Sequence, residues 1–174
     1  MTKLVIPLRI LQRILANAHE RQLNPYLIMG IIWQESGWKW NICGDWNSGA
    51  PDRFPADPYW TPNEDNLYPH SFGLMQLHVD GAGGGHTPSE LVDINNNINW
   101  GCAYLSRCLE AFDQSYRHAI SAYNQGIWGT QTRGPDFNKA YVDIVLQLTE
   151  ELRGATIRQY PGKRGQWKVF VNRS

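Results

Sequence analysis

Glu35 is the residue whose position and neighbours point most directly to chemistry. It follows Ile32 by three residues, Ile31 by four and Leu27 by eight, so at helical spacing it falls on an apolar stripe. Carboxylates are rarely buried without a partner. One on such a stripe is either paired with a cation or poorly solvated, with its pKa raised. Trp33, Trp38 and Trp40 flank it in the chain. A protonated carboxyl beside indole rings is what general-acid cleavage of a glycosidic bond requires near neutral pH. The competing reading is a helix-end Glu turned toward solvent, and the three tryptophans weigh against it.

Other blocks carry polar groups in a fixed order. Ser71-Phe72-Gly73-Leu74-Met75-Gln76-Leu77 reads as a short helix capped by Ser71, with Leu74, Met75 and Leu77 in the core. Gly73 admits a close backbone or ligand. Gln76 is left as an amide able to donate to and accept from a polar ligand. Ala122-Tyr123-Asn124 ends a helix, where Tyr and Asn also commonly satisfy backbone groups. Tyr141 is polar-tipped on an apolar face. Each block alone is as compatible with packing as with a site.

The elements that must position these groups are helical. Leu8, Leu11, Ile14, Leu15 and Ala18 repeat at helical spacing over about residues 7–22. Asn24-Pro25 reads as an N-cap followed by proline at the first helical position, opening the helix that bears Leu27, Ile28, Ile31, Ile32 and Glu35. Asp93 caps a long helix whose inner face holds Ile94, Ile98, Cys102, Leu105, Leu109 and Phe112. Residues 115–124 form a short helix stopped by Gly126. Pro135-Asp136 opens a last one with Phe137, Tyr141, Ile144, Val145, Leu148 and Leu152 on one face, ended by Gly154. No strand pattern of useful length precedes residue 154. The prediction is a mainly α domain.

Residues 43–70 interrupt this pattern with a loop rich in Pro, Gly, Asp and aromatics. Connections this long are usually functional or disordered, and Trp46, Phe54, Tyr59, Trp60 and Tyr68 argue against disorder. Its aromatics either stack on sugars, with Trp46, Tyr59 and Trp60 the candidates for exposure, or build a satellite core. The glycine-rich run 81–86 lacks the Lys-Ser/Thr ending of a phosphate loop. Cys43, Cys102 and Cys108 are too few for a disulfide framework, and buried thiols in a reducing compartment are expected. His and Cys spacings match no zinc site, no EF-hand loop is present, and neither metal nor cofactor is expected.

The 174 residues hold sixteen basic and sixteen acidic side chains, a net charge of zero that argues against a nucleic-acid binder. That zero is a cancellation. Up to Leu152 there are ten basic and sixteen acidic residues, a net of −6; Arg153, Arg158, Lys163, Arg164, Lys168 and Arg173 then add +6 with no acid. The basic end also carries Tyr160, Trp167 and Phe170. It either docks on the acidic 43–70 region or serves as a short arm for anionic envelope polymers or lipid. The longest apolar run, Tyr26–Trp33, is far short of the roughly 18 residues of a membrane span.

Taken in order, these blocks resemble the lytic transglycosylase and goose-type lysozyme superfamily. Its Glu-Ser pair stands as Glu35-Ser36, its Gly-Leu-Met-Gln motif as Gly73 to Gln76, its Ala-Tyr-Asn motif as Ala122 to Asn124, and its later tyrosine as Tyr141-Val142. The resemblance covers about residues 8–152. It implies a lysozyme-like fold of two helical lobes with a central glycan cleft, within a catalytic domain at 1–153 that carries the 43–70 insertion and a tail at 154–174. It implies peptidoglycan as substrate, cleaved between N-acetylmuramic acid and N-acetylglucosamine by a monomer.

Carried over by residue, the resemblance makes Glu35 the sole acid/base, with Ser36 following it at the helix end. Ser71, Met75 and Gln76 join the substrate-binding set. Tyr123 and Asn124 contact sugar or orient Glu35, and Tyr141 hydrogen-bonds the Glu35 carboxyl. The family reaction ends in a 1,6-anhydro product formed without water. Goose-type lysozymes instead hold water with aspartates, one of them two residues after the Gly-Leu-Met-Gln block. His78 stands there in this chain, and Asp45 is the remaining candidate. A chitin-degrading relative and a non-catalytic wall-binding protein are the lower-ranked alternatives. With no leader apparent in Met1 to Leu15, synthesis in the cytoplasm and delivery to the wall by a holin or a virion are expected, as for a phage endolysin.

Overall fold

A computed structural model describes the backbone of residues 2–159 and 166–171 and the side chains of residues 4–155. Seven helices and six strands are found among them: β1 (Thr2–Pro7), α1 (Leu8–Arg21), α2 (Pro25–Ser36), β2 (Cys43–Gly44), β3 (Ser71–Phe72), β4 (Leu77–His78), α3 (Pro88–Val92), α4 (Ile94–Ala111), α5 (Tyr116–Gln125), α6 (Ile127–Arg133), α7 (Lys139–Arg153), β5 (Thr156–Gln159) and β6 (Gln166–Val171). The chain divides into two compact units, residues 1–34 with 102–174, and residues 35–101. The divisions fall within α2 and α4.

In the first unit, α1 buries Ile10, Leu11, Ile14 and Ala18, whereas Leu15, expected on the inner face, is 49% exposed. The stripe therefore runs one position earlier, through Ile10. On α2, Asn24 Oδ1 accepts the Tyr26 N–H at 2.9 Å, as an N-cap does. Leu27, Ile28, Ile31 and Ile32 are all fully buried. Gly30 lets α2 approach α7 closely, since a Cβ there would lie 2.9 Å from Thr149 Oγ1 and 3.2 Å from the Val145 carbonyl.

The last helix starts at Lys139 rather than Pro135. Its inward face is Val142, Val145, Thr149 and Leu152; Phe137 and Ile144 point outward at 63% and 43% exposure. Between Gly126 and Gly134 lies α6, an element too short and too polar for its pattern to announce.

The segment expected as a tail contributes strands instead. β6 pairs antiparallel with β1, from Thr2 opposite Val171 to Pro7 opposite Gln166, and β5 pairs with the other edge of β6. The sheet order is β1-β6-β5. Tyr160, Lys163, Arg164 and Arg173 lie outside the described residues, as do the side chains of Arg158, Trp167, Lys168 and Phe170.

In the second unit, β2, β3 and β4 form a small antiparallel sheet, with Gly44 opposite Ser71 and Ser71 opposite His78. Asn47 and Tyr68 extend the zipper at the mouth of the insertion. Trp60 forms the centre of that loop. It is only 4% exposed, its Nε1 donates to the Ala50 carbonyl at 3.0 Å, and it stacks on Tyr68 with Phe54 and His70 against it edge-on. Trp60 is therefore not an exposed stacker: an indole with that many ring neighbours gains more from burial than from solvent. Trp46 is 42% exposed and Tyr59 half-buried. Trp60→Ala is expected to cost about 4 kcal/mol and to open residues 43–70 to limited proteolysis before the rest of the chain.

The three thiols are free. Cys102 and Cys108 are fully buried, and burial pushes both thiols up to about 12. Burial, with Asp57 nearby, also raises the Cys43 thiol, which is only half-buried. A thiol reagent at neutral pH is expected to modify Cys43 slowly in the native protein and the other two only after unfolding.

Candidate active site

Glu35 stands in the last turn of α2, half-buried. Ser36, which ends the helix, is buried at 4% exposure and its carbonyl accepts the Lys39 N–H at 3.1 Å. The chain leaves the helix through two left-handed residues, Gly37 (φ 56°) and Trp38 (φ 69°). Glycine adopts that conformation without penalty, whereas tryptophan does so at a cost that the burial of its ring offsets. Trp38 is thus anchored three residues after Glu35, while Trp40 is 45% exposed.

The Gly-Leu-Met-Gln block is not a helix. Ser71 and Phe72 form β3, residues 73–76 turn, and Leu77 and His78 form β4. Ser71 accordingly caps nothing; its hydroxyl donates to Asp45 Oδ2 across the β2–β3 edge. This joins two of the expected site residues. Asp45 is itself left-handed, at φ 51°. Gln76 adopts φ 47°, and its Nε2 donates to the Gly73 carbonyl at 2.9 Å and the Ile42 carbonyl at 3.2 Å. Its amide donors thus brace the turn against the start of the insertion. Met75 is fully buried, with its sulfur packed over Gly101.

Asn97 on α4 is the residue that sequence reasoning missed. It is 1% exposed and divides its amide between this turn and α3. Oδ1 accepts the Met75 N–H at 2.8 Å, and Nδ2 donates to the Phe72 carbonyl at 2.8 Å and the Leu91 carbonyl at 2.6 Å. Gly73, at φ 78°, lies directly under that amide, and a Cβ on it would stand 2.8 Å from the Leu91 carbonyl. The only signal in the chain was an Asn on the buried side of an otherwise apolar helix face, one residue before Ile98.

His70 and His78 stack beside this sheet at 5.6 Å. His78 Nδ1 accepts the Asp80 N–H at 3.1 Å, a structural bond within the turn that follows β4. Arg53 pairs with Asp80 and holds that carboxyl below the usual range, chiefly through its hydrogen bond. A groove of about 370 Å³ lined by Arg53, Phe54, Asp57, Thr87 and Ser89 lies between the insertion and α3 and contains none of the motif residues.

Tyr123, Asn124 and Tyr141 belong to the first unit. Tyr123 is buried at 8% exposure with its ring tilted against Tyr104 at 5.5 Å. Burial pushes the Tyr104 phenol up to about 12, with the neighbouring Cys108 adding to the shift. Asn124 is exposed, and its Oδ1 accepts from Asn138 Nδ2 at 2.8 Å, tying the end of α5 to the start of α7. Asn138 in turn accepts from the buried Ser121 hydroxyl at 2.7 Å. Tyr141 is half-buried on the first turn of α7.

Among the described residues no helix is long and apolar enough to cross a membrane, and no cluster of three or more His, Cys, Asp or Glu could hold a metal ion. Compared with known proteins, residues 12–137 match the profile of the Transglycosylase SLT domain family. Among solved structures the chain is similar to an inactive Glu-to-Gln mutant of the lytic transglycosylase Slt from Pseudomonas aeruginosa, with a TM-score of 0.54 and 22% identity over 79% of this chain. At that identity the likeness is one of fold, and it supports the expected mainly α, lysozyme-like architecture. The match spans 23% of that longer protein. No curated protein matches the chain in sequence.

Proposed function

Since the chain belongs to the Transglycosylase SLT domain family, we propose that it is a peptidoglycan lytic transglycosylase with Glu35 as its single acid/base. The observation that carries this reading is the family match itself, which spans Glu35 and every motif residue except Tyr141. The placement of Glu35 supports it: a half-buried carboxyl at the end of a helix anchored by four fully buried aliphatic residues. So does the absence of a carboxylate at position 78.

In the proposed reaction Glu35 gives its proton to the glycosidic oxygen as the C1–O bond breaks, and the substrate's acetamido group stabilises the anomeric carbon. The resulting Glu35 carboxylate takes the proton of the muramic C6 hydroxyl, whose oxygen bonds to C1 and closes a 1,6-anhydro ring. No water is consumed, and Glu35 ends protonated as it began. One carboxyl suffices because it acts twice, unlike the paired carboxylates of ordinary glycosidases. Tyr123, Asn124 and Tyr141 are proposed to contact the sugar or to orient Glu35.

The test is mass spectrometry of purified sacculi after digestion. Products ending in 1,6-anhydromuramic acid are expected. Reducing ends alone would overturn transglycosylation in favour of hydrolysis, with Asp45 the candidate to hold the water.

A further inference from the structure

Trp128 on α6 is 76% exposed and Phe137, just before α7, 63%. Arg133 joins them. Its guanidinium carbon stands 4.1 Å above the Phe137 ring, and its Nε reaches back to the Gly129 carbonyl at 3.5 Å. A Cβ on Gly129, the residue after Trp128, would lie 2.7 Å from Arg133 Nη2, so the bare glycine is what lets the guanidinium lie across α6.

The charge of Arg133 is unspent. Arg53 pairs with Asp80, and Arg117 with Asp136 and Asp143, but among the described residues Arg133 has no carboxylate within 4.0 Å. It lies in a stretch, residues 1–152, with ten basic and sixteen acidic side chains. Scattered exposed apolar residues are ordinary. An open indole, a phenyl ring and an unpaired guanidinium on adjoining turns combine the side chains that dominate recognition surfaces.

An indole face takes the C–H face of a sugar ring, and a guanidinium fork takes a carboxylate in two parallel hydrogen bonds. A ligand that satisfies both is a glycan with acidic substituents. We propose that Trp128, Arg133 and Phe137 form a binding platform for peptide-bearing peptidoglycan, the indole stacking a sugar and the guanidinium pairing with a stem-peptide carboxylate. The occupant rests on the substrate class argued above.

The experiment is co-sedimentation with purified sacculi in a Glu35→Gln background, so that binding is read without turnover. Intact sacculi are compared with sacculi stripped of free stem-peptide carboxylates by carbodiimide-driven conversion to amides, which leaves the cross-linked sacculus insoluble. Trp128→Ala is expected to weaken binding to both about tenfold. Arg133→Ala is expected to weaken binding to intact sacculi about threefold, to flatten its salt dependence and to leave stripped sacculi unaffected. Gly129→Ala, whose methyl displaces the guanidinium, is expected to reproduce the Arg133 result. All three sites are on α6, so unchanged melting temperatures separate lost binding from lost folding. Unchanged sacculus binding in Trp128→Ala and Arg133→Ala overturns the platform. So does an equal loss on both substrates in Arg133→Ala. The end-group analysis is independent: anhydro ends with unaltered binding in the variants would sink the platform alone. A parent chain that neither cleaves nor binds sacculi would sink both.

Discussion

Glu35→Gln is expected to lower the rate of sacculus digestion by about 10³-fold, the scale of a positioned general acid, with the melting temperature nearly unchanged. Gln keeps the volume and hydrogen-bonding capacity of the side chain but cannot deliver a proton to the leaving oxygen or take one from the C6 hydroxyl. Because the proposed mechanism uses one carboxyl for both transfers, no other substitution should match this loss. Asp45→Asn is the informative control. The Asp45 carboxylate is engaged by the Ser71 hydroxyl, and an amide oxygen can accept the same bond, so a loss of less than about tenfold is expected. Equal losses at Glu35 and Asp45 would indicate a two-carboxylate, water-using reaction instead.

Asn97→Ala is expected to destabilise the protein by about 3 kcal/mol, which for a chain of this size lowers the melting temperature by about 10 °C. The substitution removes an acceptor for the Met75 N–H and a donor shared by the Phe72 and Leu91 carbonyls, and Met75, Phe72 and Leu91 are all fully buried. Water cannot replace those bonds without entering the core, so the groups are left unpaired. Gly73→Ala is expected to cost a comparable amount, through a Cβ forced into φ 78° and against the Asn97 amide and the Leu91 carbonyl. The two losses should not add: removing the Asn97 amide relieves part of the Gly73 clash, so the double variant should be more stable than the sum predicts. A melting temperature for Asn97→Ala within about 2 °C of the parent would show that the bracket contributes little.

The family motifs and the helix that ends in Glu35-Ser36 were legible because they depend on residue type and spacing. The role of the Gly-Leu-Met-Gln block was not. Its strands are two residues long, and they exist only because Cys43 and Gly44 pair with Ser71 and Phe72, these pair in turn with Leu77 and His78, and Asn97 holds the turn between them. Read locally, Ser71 followed by glycine and aliphatic residues suggests a capped helix. Nor did the local pattern reveal that the Gln76 amide donors go to backbone carbonyls and that Met75 is completely buried. In the insertion the aromatic content announced order but not which ring lies inside, and Trp60 rather than Trp46 does.

What the chain determines by itself is the set of interactions that act within a few residues. The Asn24 cap, the fully buried stripe of α2 that carries Glu35 to its end and the glycine that stops α5 belong there. Caps, propensities and 3.6-residue periodicity require no distant partner. Tertiary structure alone decided the rest. It drew Thr156–Gln159 and Gln166–Val171 into a sheet with the N-terminal strand and set the inward face of α7 at Val142, Val145 and Leu152. It also aimed Asn97 at the turn below Ser71 and left Trp128 and Arg133 open on α6. Strand pairing and burial are agreements between segments far apart in the chain. The side chains on one segment carry no record of which partner will cover them.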